Sequence, residues 1–367
     1  MQLSRERAVS GPTPKPGVLD IAPYVGARPE APARAHQLAS NESAIGPSPA
    51  ALEAYRAASA GLHLYPDGSA ATLRQSIAEI YGLDPARIVC GHGSDEVLGL
   101  IGHAYLRPGD EVLYSAHAFL VYHIIALANS AIPVTAPEPE LRVDVDRMLA
   151  AVSPRTRIVF VANPNNPTGT YISREEMRRL HTALAPDILF VIDSAYAEFV
   201  RSSDYDSGVE LVSGFDNVVM ARTFSKAYAL AGLRVGWAYC SATVTDTLNR
   251  VRGPFNVSVA AQEAAVAALQ DRAHLEKALA HNETWRNWLT AEIRGIGLRV
   301  DDSAGNFVLI RFRDEGTARA ADQFLIERGV ILRPVAAYGL PHCLRMTVGL
   351  EEANRAAVAA LREFMRT

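Results

Sequence analysis

Lysine is scarce in this chain: only Lys15, Lys226 and Lys277 occur among its 367 residues. Other basic positions are arginine, so a lysine in apolar company calls for a chemical reason. Lys226 stands in Thr223-Phe224-Ser225-Lys226-Ala227, just after the apolar run Val218–Ala221. Desolvation beside Phe224 and Ala227 lowers an amine's pKa. A neutral amine can form a Schiff base with a carbonyl and later move protons. Arginine stays protonated and does neither. Asp193 ends a second apolar run, Ile188–Ile192, and opens Asp193-Ser194-Ala195-Tyr196. A carboxylate there is costly to bury unless paired. A protonated ring nitrogen is such a partner, and its protonation makes the ring an electron sink.

Three further pieces follow apolar runs. Asn163-Pro164-Asn165-Asn166-Pro167-Thr168-Gly169 is a turn stiffened by two prolines and a glycine, able to hold an amide side chain in place. Arg234, with the hydroxyls of Thr223 and Ser225, suits a phosphate dianion. Gly91-His92-Gly93-Ser94-Asp95-Glu96 opens a helix whose first N–H groups suit an anion. It matches neither the dinucleotide fingerprint nor the Gly-x-x-x-x-Gly-Lys loop. Each piece has a plainer reading by itself: a tight turn, a capping aspartate, a surface lysine, a structural ion pair.

The elements needed to position these residues are legible. Runs at Arg87–Cys90, Glu111–Tyr114, Ile132–Thr135, Ile158–Ala162, Ile188–Ile192, Val218–Ala221 and Val235–Tyr239 are nearly continuous in apolar residues. That suits strands covered on both faces of a mainly parallel sheet. Helices are expected at Asp95–Leu106 and Ser173–Ala185, the second opened by a Ser173/Glu176 capping box. Strand–helix alternation predicts an α/β, doubly wound large domain, with its ligand at the strands' C-terminal ends. After Pro254 the pattern changes. A long helical stretch is expected at Val259–Thr290, then strands Asn306–Phe312 and Leu344–Val348 around a helix at Ala318–Arg328, and a last helix Glu351–Met365. The expected division is a loose arm at 1–17, a large domain at 46–252, and a smaller α+β domain from 18–45 plus 253–367.

Composition excludes some classes. The formal net charge is −4, spread along the chain, which leaves no basic footprint for nucleic acid. Cys90, Cys240 and Cys343 are far apart and form no Cys-x-x-Cys pair, so neither a disulfide framework nor a thiolate zinc site is expected. Met1 to Gly17 lacks the apolar core of a secretory leader. No apolar run approaches the roughly 20 residues that span a bilayer. A cytoplasmic protein without metal is the expectation.

Taken in order, Tyr65-Pro66-Asp67, Gly93-Ser94-Asp95-Glu96, Asn163–Gly169, Asp193–Tyr196, Thr223–Lys226, Arg234 and Leu344-Arg345 resemble the fold-type I pyridoxal-phosphate enzymes, most closely the histidinol-phosphate aminotransferases. The resemblance spans about Ile21 to Val348. It implies pyridoxal 5'-phosphate as cofactor and a ping-pong transamination, with histidinol phosphate and 2-oxoglutarate as the expected pair. Lys226 would carry the cofactor as a Schiff base and shuttle the proton. Asp193 would pair the ring nitrogen. Asn166 and Tyr196 would hydrogen-bond the ring's phenolic oxygen, and Phe119 would stack on the ring with Tyr122 nearby. Gly93, Ser94, Asp95, Thr223, Ser225 and Arg234 would surround the phosphate. Tyr65 would reach the cofactor of a neighbouring subunit, implying a homodimer with shared sites. Arg345 would bind the substrate carboxylate, Arg333 and Tyr24 the substrate phosphate, and Asn41 belongs with them.

Some positions depart from the pattern. Asn41-Glu42-Ser43-Ala44 stands where the family often has Asn-Glu-Asn-Pro, and His117-Ala118 where it has Pro-Thr. Arg333 to Pro341 resembles members that also accept aromatic amino acids. An aromatic amino-acid aminotransferase and a threonine-phosphate-type decarboxylase are therefore the alternative activities on the same cofactor residues.

Overall fold

The structure is a computed structural model that describes residues 12–23 and 35–366. Tyr24 lies outside the described residues. The strands are, in chain order, β1 (His36–Gln37), β2 (Ile88–Gly91), β3 (Glu111–Ser115), β4 (Ile132–Ala136), β5 (Thr156–Ala162), β6 (Leu189–Asp193) and β7 (Val218–Thr223). They continue with β8 (Gly236–Cys240), β9 (Arg299–Val300), β10 (Phe307–Arg311), β11 (Val330–Ile331), β12 (Arg333–Val335) and β13 (Leu340–Thr347).

Seven strands form the large sheet in the order β2-β8-β7-β6-β5-β3-β4. The pairs β3–β4, β3–β5, β5–β6 and β6–β7 are parallel. Only β8 runs against its neighbours, β2 and β7. Every residue of β2, β3, β6, β7 and β8 is buried, which explains why their apolar runs are unbroken rather than alternating. Successive side chains feed opposite cores. Val159, Val161, Phe190, Ile192, Val218 and Met220 pack on one face; Ile158, Phe160, Val191, Val219 and Ala221 pack on the other.

The register aligns the strand ends that matter. Asp193 pairs with Ala162 on one side and with Ala221 on the other. The three loops leaving β5, β6 and β7 therefore start side by side, at the C-terminal edge where open parallel sheets bind ligands.

A second sheet, β12-β13-β10-β9, is antiparallel. It packs Val308, Ile310 and Met346 against Leu325 and Leu361 of helices Glu315–Glu327 and Glu351–Phe364. Early in the chain, β1 pairs in parallel with β11, so the segment just before Asn41 is fixed to the C-terminal part of the protein.

The expected capping box is present: Ser173 and Glu176 cap helix Arg174–Thr182 reciprocally. The single helical stretch expected over Val259–Thr290 is instead two helices, Val259–Gln270 and Arg272–Gly295. The break is at Asp271, whose side chain accepts from the His274 N–H and caps the second helix. The first of the two buries Ala261, Ala264, Ala265 and Ala268 in the core shared with Leu73 and Ile77. Among the described residues, no helix is long and apolar enough to cross a membrane.

One polar pair is deeply enclosed. Arg222 Nη2 lies 2.6 Å from Glu198 Oε1, with side chains 5% and 6% exposed. Removing one partner strands a charge in the interior, a loss of about 3–5 kcal/mol. Glu198→Ala is expected to lower unfolding stability by that amount, read as a shifted urea midpoint at unchanged slope. A loss under about 1 kcal/mol would mean that water reaches the guanidinium.

Candidate active site

One cavity at the C-terminal edge of the large sheet is lined by Ser94, Asp95, Phe119, Asn166, Asp193, Tyr196, Thr223, Ser225, Lys226 and Arg234. Ten of the residues singled out from sequence thus meet in one place.

Lys226 sits in the turn after β7, and Nζ donates to the Ser40 carbonyl at 3.3 Å. Burial, helped by the positive field of Arg345, pulls its pKa down from 10.5 to about 8. A fraction of the amine is therefore neutral near physiological pH, as addition to a carbonyl requires. Asp193 ends β6 and is buried. Burial pushes its carboxyl up from 3.8 to about 6, while a hydrogen bond from Tyr122 acts the other way. Tyr122 Oη donates to Asp193 Oδ2 at 2.8 Å. That phenol stays protonated, because burial and the neighbouring carboxylate raise its pKa well above the usual range. A cation brought to Asp193 would relieve the desolvation cost.

Tyr196 is held by Asn41, whose Nδ2 donates to Tyr196 Oη at 2.9 Å. Burial raises the tyrosine's pKa to about 12. With one hydrogen bond accepted, the phenol keeps its own proton available to donate. Asn166 is oriented from the other side: Arg345 Nη1 donates to Asn166 Oδ1. This leaves the Asn166 amide N–H groups as donors. Arg345 Nη2 also donates to the Ala39 carbonyl at 2.6 Å. Arg345 is buried and belongs to β13.

The opposite end of the cavity is built for an anion. Thr223 Oγ1 donates to Ser225 Oγ at 3.0 Å, and Arg234 Nη1 donates to the same oxygen at 3.2 Å. Helix Gly93–Tyr105 starts here with Ser94 and Asp95 in its first turn. The Asp95 carboxylate holds Arg234 Nη2 at 3.0 Å. Gly93 has φ +78°, and a Cβ on it would lie 2.5 Å from Arg234 Nη2. A Cβ on Gly236 would lie 2.3 Å from the Ser94 nitrogen. These two glycines let the guanidinium and the helix start approach closely. A flat ring with a cationic nitrogen, an acidic phenol, a carbonyl and a phosphate fits this donor set from end to end.

Among the described residues, five expected from sequence at the site lie outside the cavity lining: Gly93 and Arg345, described above, and Tyr65, Arg333 and Asn41. Tyr65 is 83% exposed and stacks on Phe255 with centroids 4.6 Å apart. Arg333 sits on β12, in register with Arg345 across the β12–β13 pair. Asn41, with φ +55°, acts through Tyr196.

The sequence profile described as "Aminotransferase class I and II" matches residues 35–361. The chain belongs to the histidinol-phosphate aminotransferase family of these class I and II aminotransferases. The histidinol-phosphate aminotransferase of Paramagnetospirillum magneticum is 54% identical over 97% of this chain and 99% of its own length. That of Rhodospirillum centenum is 55% identical over 98% of this chain and the whole of its own. A crystal structure of histidinol-phosphate aminotransferase from Sinorhizobium meliloti, in complex with pyridoxal-5'-phosphate, superimposes with a TM-score of 0.91. Its sequence identity is 30%, covering 97% of this chain and 99% of that one. The aminotransferase fold, with its mainly parallel large sheet, is as the sequence predicted.

Sequence reasoning placed Tyr122 only near the ring. Its hydroxyl in fact holds Asp193. A partial signal was available: a tyrosine within Val121–Ala128, a helix apolar but for His123, needs a buried partner for its O–H. The clamp of Arg345 on Asn166 joins residues 179 positions apart and left no local trace.

Proposed function

We propose that this protein is a pyridoxal-5'-phosphate-dependent aminotransferase. Its substrates in this reading are histidinol phosphate and 2-oxoglutarate, interconverted with the matching keto phosphate and glutamate in histidine biosynthesis. The observation that carries the reading is a single cavity joining a neutralisable Lys226, a buried Asp193 and an anion cradle at Arg234, in a chain over half identical to named histidinol-phosphate aminotransferases.

When bound, pyridoxal phosphate supplies a carbonyl carbon for amines and a ring that withdraws electrons. Lys226 would hold the cofactor covalently and, with its lowered pKa, is placed to carry a proton between substrate and cofactor carbons. Asp193, steadied by Tyr122, keeps the ring nitrogen protonated. Tyr196 and Asn166 would donate to the phenolic oxygen, and Phe119 would cover the ring. Ser94, Asp95, Thr223, Ser225 and Arg234 hold the phosphate, with Gly93 giving the space. Arg345 takes the carboxylate of glutamate.

The β12–β13 register sends the side chains of Arg333 and Arg345 off the same face of neighbouring strands. Arg333 would thus give a phosphate its own charge-assisted partner, next to the Arg345 that takes a carboxylate. This supports histidinol phosphate over phenylalanine or tyrosine as the amino donor. Arg333→Ala is expected to lower kcat/KM for histidinol phosphate by about 10- to 100-fold, the size of a lost charge-assisted hydrogen bond. Phenylalanine turnover should change by less than about threefold. Equal losses for the two donors, measured with 2-oxoglutarate, would remove the phosphate role from Arg333.

We also place Tyr65 over the cofactor phosphate of a second copy, making a homodimer with shared sites. Its exposure and its absence from the lining of its own cavity support this. Three free, buried cysteines fit a reducing cytoplasm.

A further inference from the structure

Behind the cavity, on the core side of the strand ends, lies a buried polar cluster that the chemistry above does not use. Arg222 precedes Thr223 on β7. Its guanidinium lies 2.6 Å from the carboxylate of Glu198. Glu198 belongs to the short turn Ala197–Phe199, immediately after Tyr196. Tyr81 Oη donates to Glu198 Oε1 at 3.3 Å and lies 2.7 Å from Tyr228 Oη. Tyr228 is two residues beyond Lys226. The Arg222 guanidinium also lies over the Tyr81 ring, 4.7 Å from its centre. The cluster thus ties the loop that carries Tyr196 to the turn that carries Lys226.

Stability alone gives a weak reason for such a cluster. Burying two charges costs several kcal/mol per ion, repaid only when geometry and all remaining hydrogen bonds are good. Here, among the described residues, neither Arg222 Nε nor Glu198 Oε2 has a hydrogen-bond partner. Apolar side chains of similar volume would fill the same space at no greater cost. What they could not supply is direction. An ion pair with a planar guanidinium fixes both distance and angle between the two loops.

We infer that Arg222 and Glu198, with Tyr81 and Tyr228, are positioning residues that set the Tyr196 hydroxyl relative to the Lys226 amine. Neither side chain lines the cavity. Their effect passes through the two loops, so it falls on the hydrogen bond from Tyr196 to the ring's phenolic oxygen. That bond stabilises the oxygen's anion and so lowers the pKa of the Lys226–cofactor imine. Loosening it raises that pKa. The inference rests on the cofactor reading above.

The test is a spectroscopic pH titration of the cofactor-loaded protein, comparing wild type with the double variant Arg222→Met/Glu198→Leu. Removing both charges together avoids a stranded ion, so thermal stability should stay near wild type. The expected result is an imine titration midpoint raised by about one pH unit. A kcat lowered about tenfold, with KM for the amino donor nearly unchanged, should accompany it. Tyr228→Phe removes one hydroxyl and should move the midpoint the same way by less; it decides the matter if the double variant does not fold. A stable double variant, or Tyr228→Phe, with the wild-type midpoint and kcat overturns the inference and leaves the pair as filling. Failure of wild type itself to form the coloured, lysine-bound cofactor would instead overturn the cofactor reading.

Discussion

Lys226→Ala is expected to reduce kcat for transamination by at least about 10⁴-fold, because one substitution removes both the covalent anchor and the proton carrier. The cofactor should still be retained, more weakly, through Arg234, Ser225, Thr223 and the helix start at Gly93, which do not depend on the amine. Lys226→Arg should fail equally, since a guanidinium keeps its proton and cannot add to a carbonyl. The natural pKa of about 8 adds a pH signature. Capture of cofactor by the unloaded protein should quicken as pH rises toward 8 and level off above it. Steady-state rates and equilibrium dialysis test these points. A Lys226→Ala variant within tenfold of wild type would show that the lysine is not the proton carrier.

Asp193→Asn is expected to have the second largest effect, a kcat loss of about 10²- to 10³-fold, the size typical for removing a group aimed at developing charge. The amide keeps the shape and can still meet Tyr122, but it carries no charge to hold a proton on the ring nitrogen. Stability of the unloaded protein should move the other way. Burial raises the carboxyl's pKa from 3.8 to about 6, so the folded state binds the proton more tightly than the unfolded state. The resulting penalty is absent below about pH 4, grows through the window to pH 6, and is full at neutral pH. Asparagine avoids it, a gain on the order of 2–3 kcal/mol at pH 7 for this buried group. Cofactor binding should weaken at the same time. A variant less stable than wild type at pH 7 and equally active would contradict both halves of this role.

The residues proposed to do the chemistry were legible because each stands at or near the end of a strand with a distinctive composition. Burial on both faces makes β5, β6 and β7 read as apolar runs; Asp193 is the last residue of β6, and Asn166 and Lys226 stand just past the ends of β5 and β7. Scarcity helped too: a lone lysine after Phe224 and Ser225 stands out in an arginine-rich chain. Helix Arg174–Thr182 was legible from its capping box, a purely local pattern. The break at Asp271 was not, because alanine-rich helical composition continues on both sides of it. Contacts between distant segments were the least visible. Asn41 on Tyr196, Tyr122 on Asp193 and Arg345 on Asn166 span 155, 71 and 179 positions; the sequence hints at most that Tyr122 needs a buried partner, and never says which residue each one meets. The Arg222–Glu198 pair is the same case: both residues sit in apolar surroundings, and only the fold shows that they meet.

The most direct measurement is borohydride reduction of the cofactor-loaded wild-type protein followed by peptide mass mapping. With only Lys15, Lys226 and Lys277 available, the assignment is unambiguous. One pyridoxyl-phosphate adduct per chain on Lys226, absent from Lys226→Ala, is the expected result. An adduct on Lys15 or Lys277 in place of Lys226, or none at all, would contradict the assignment of Lys226 as the residue that holds the cofactor.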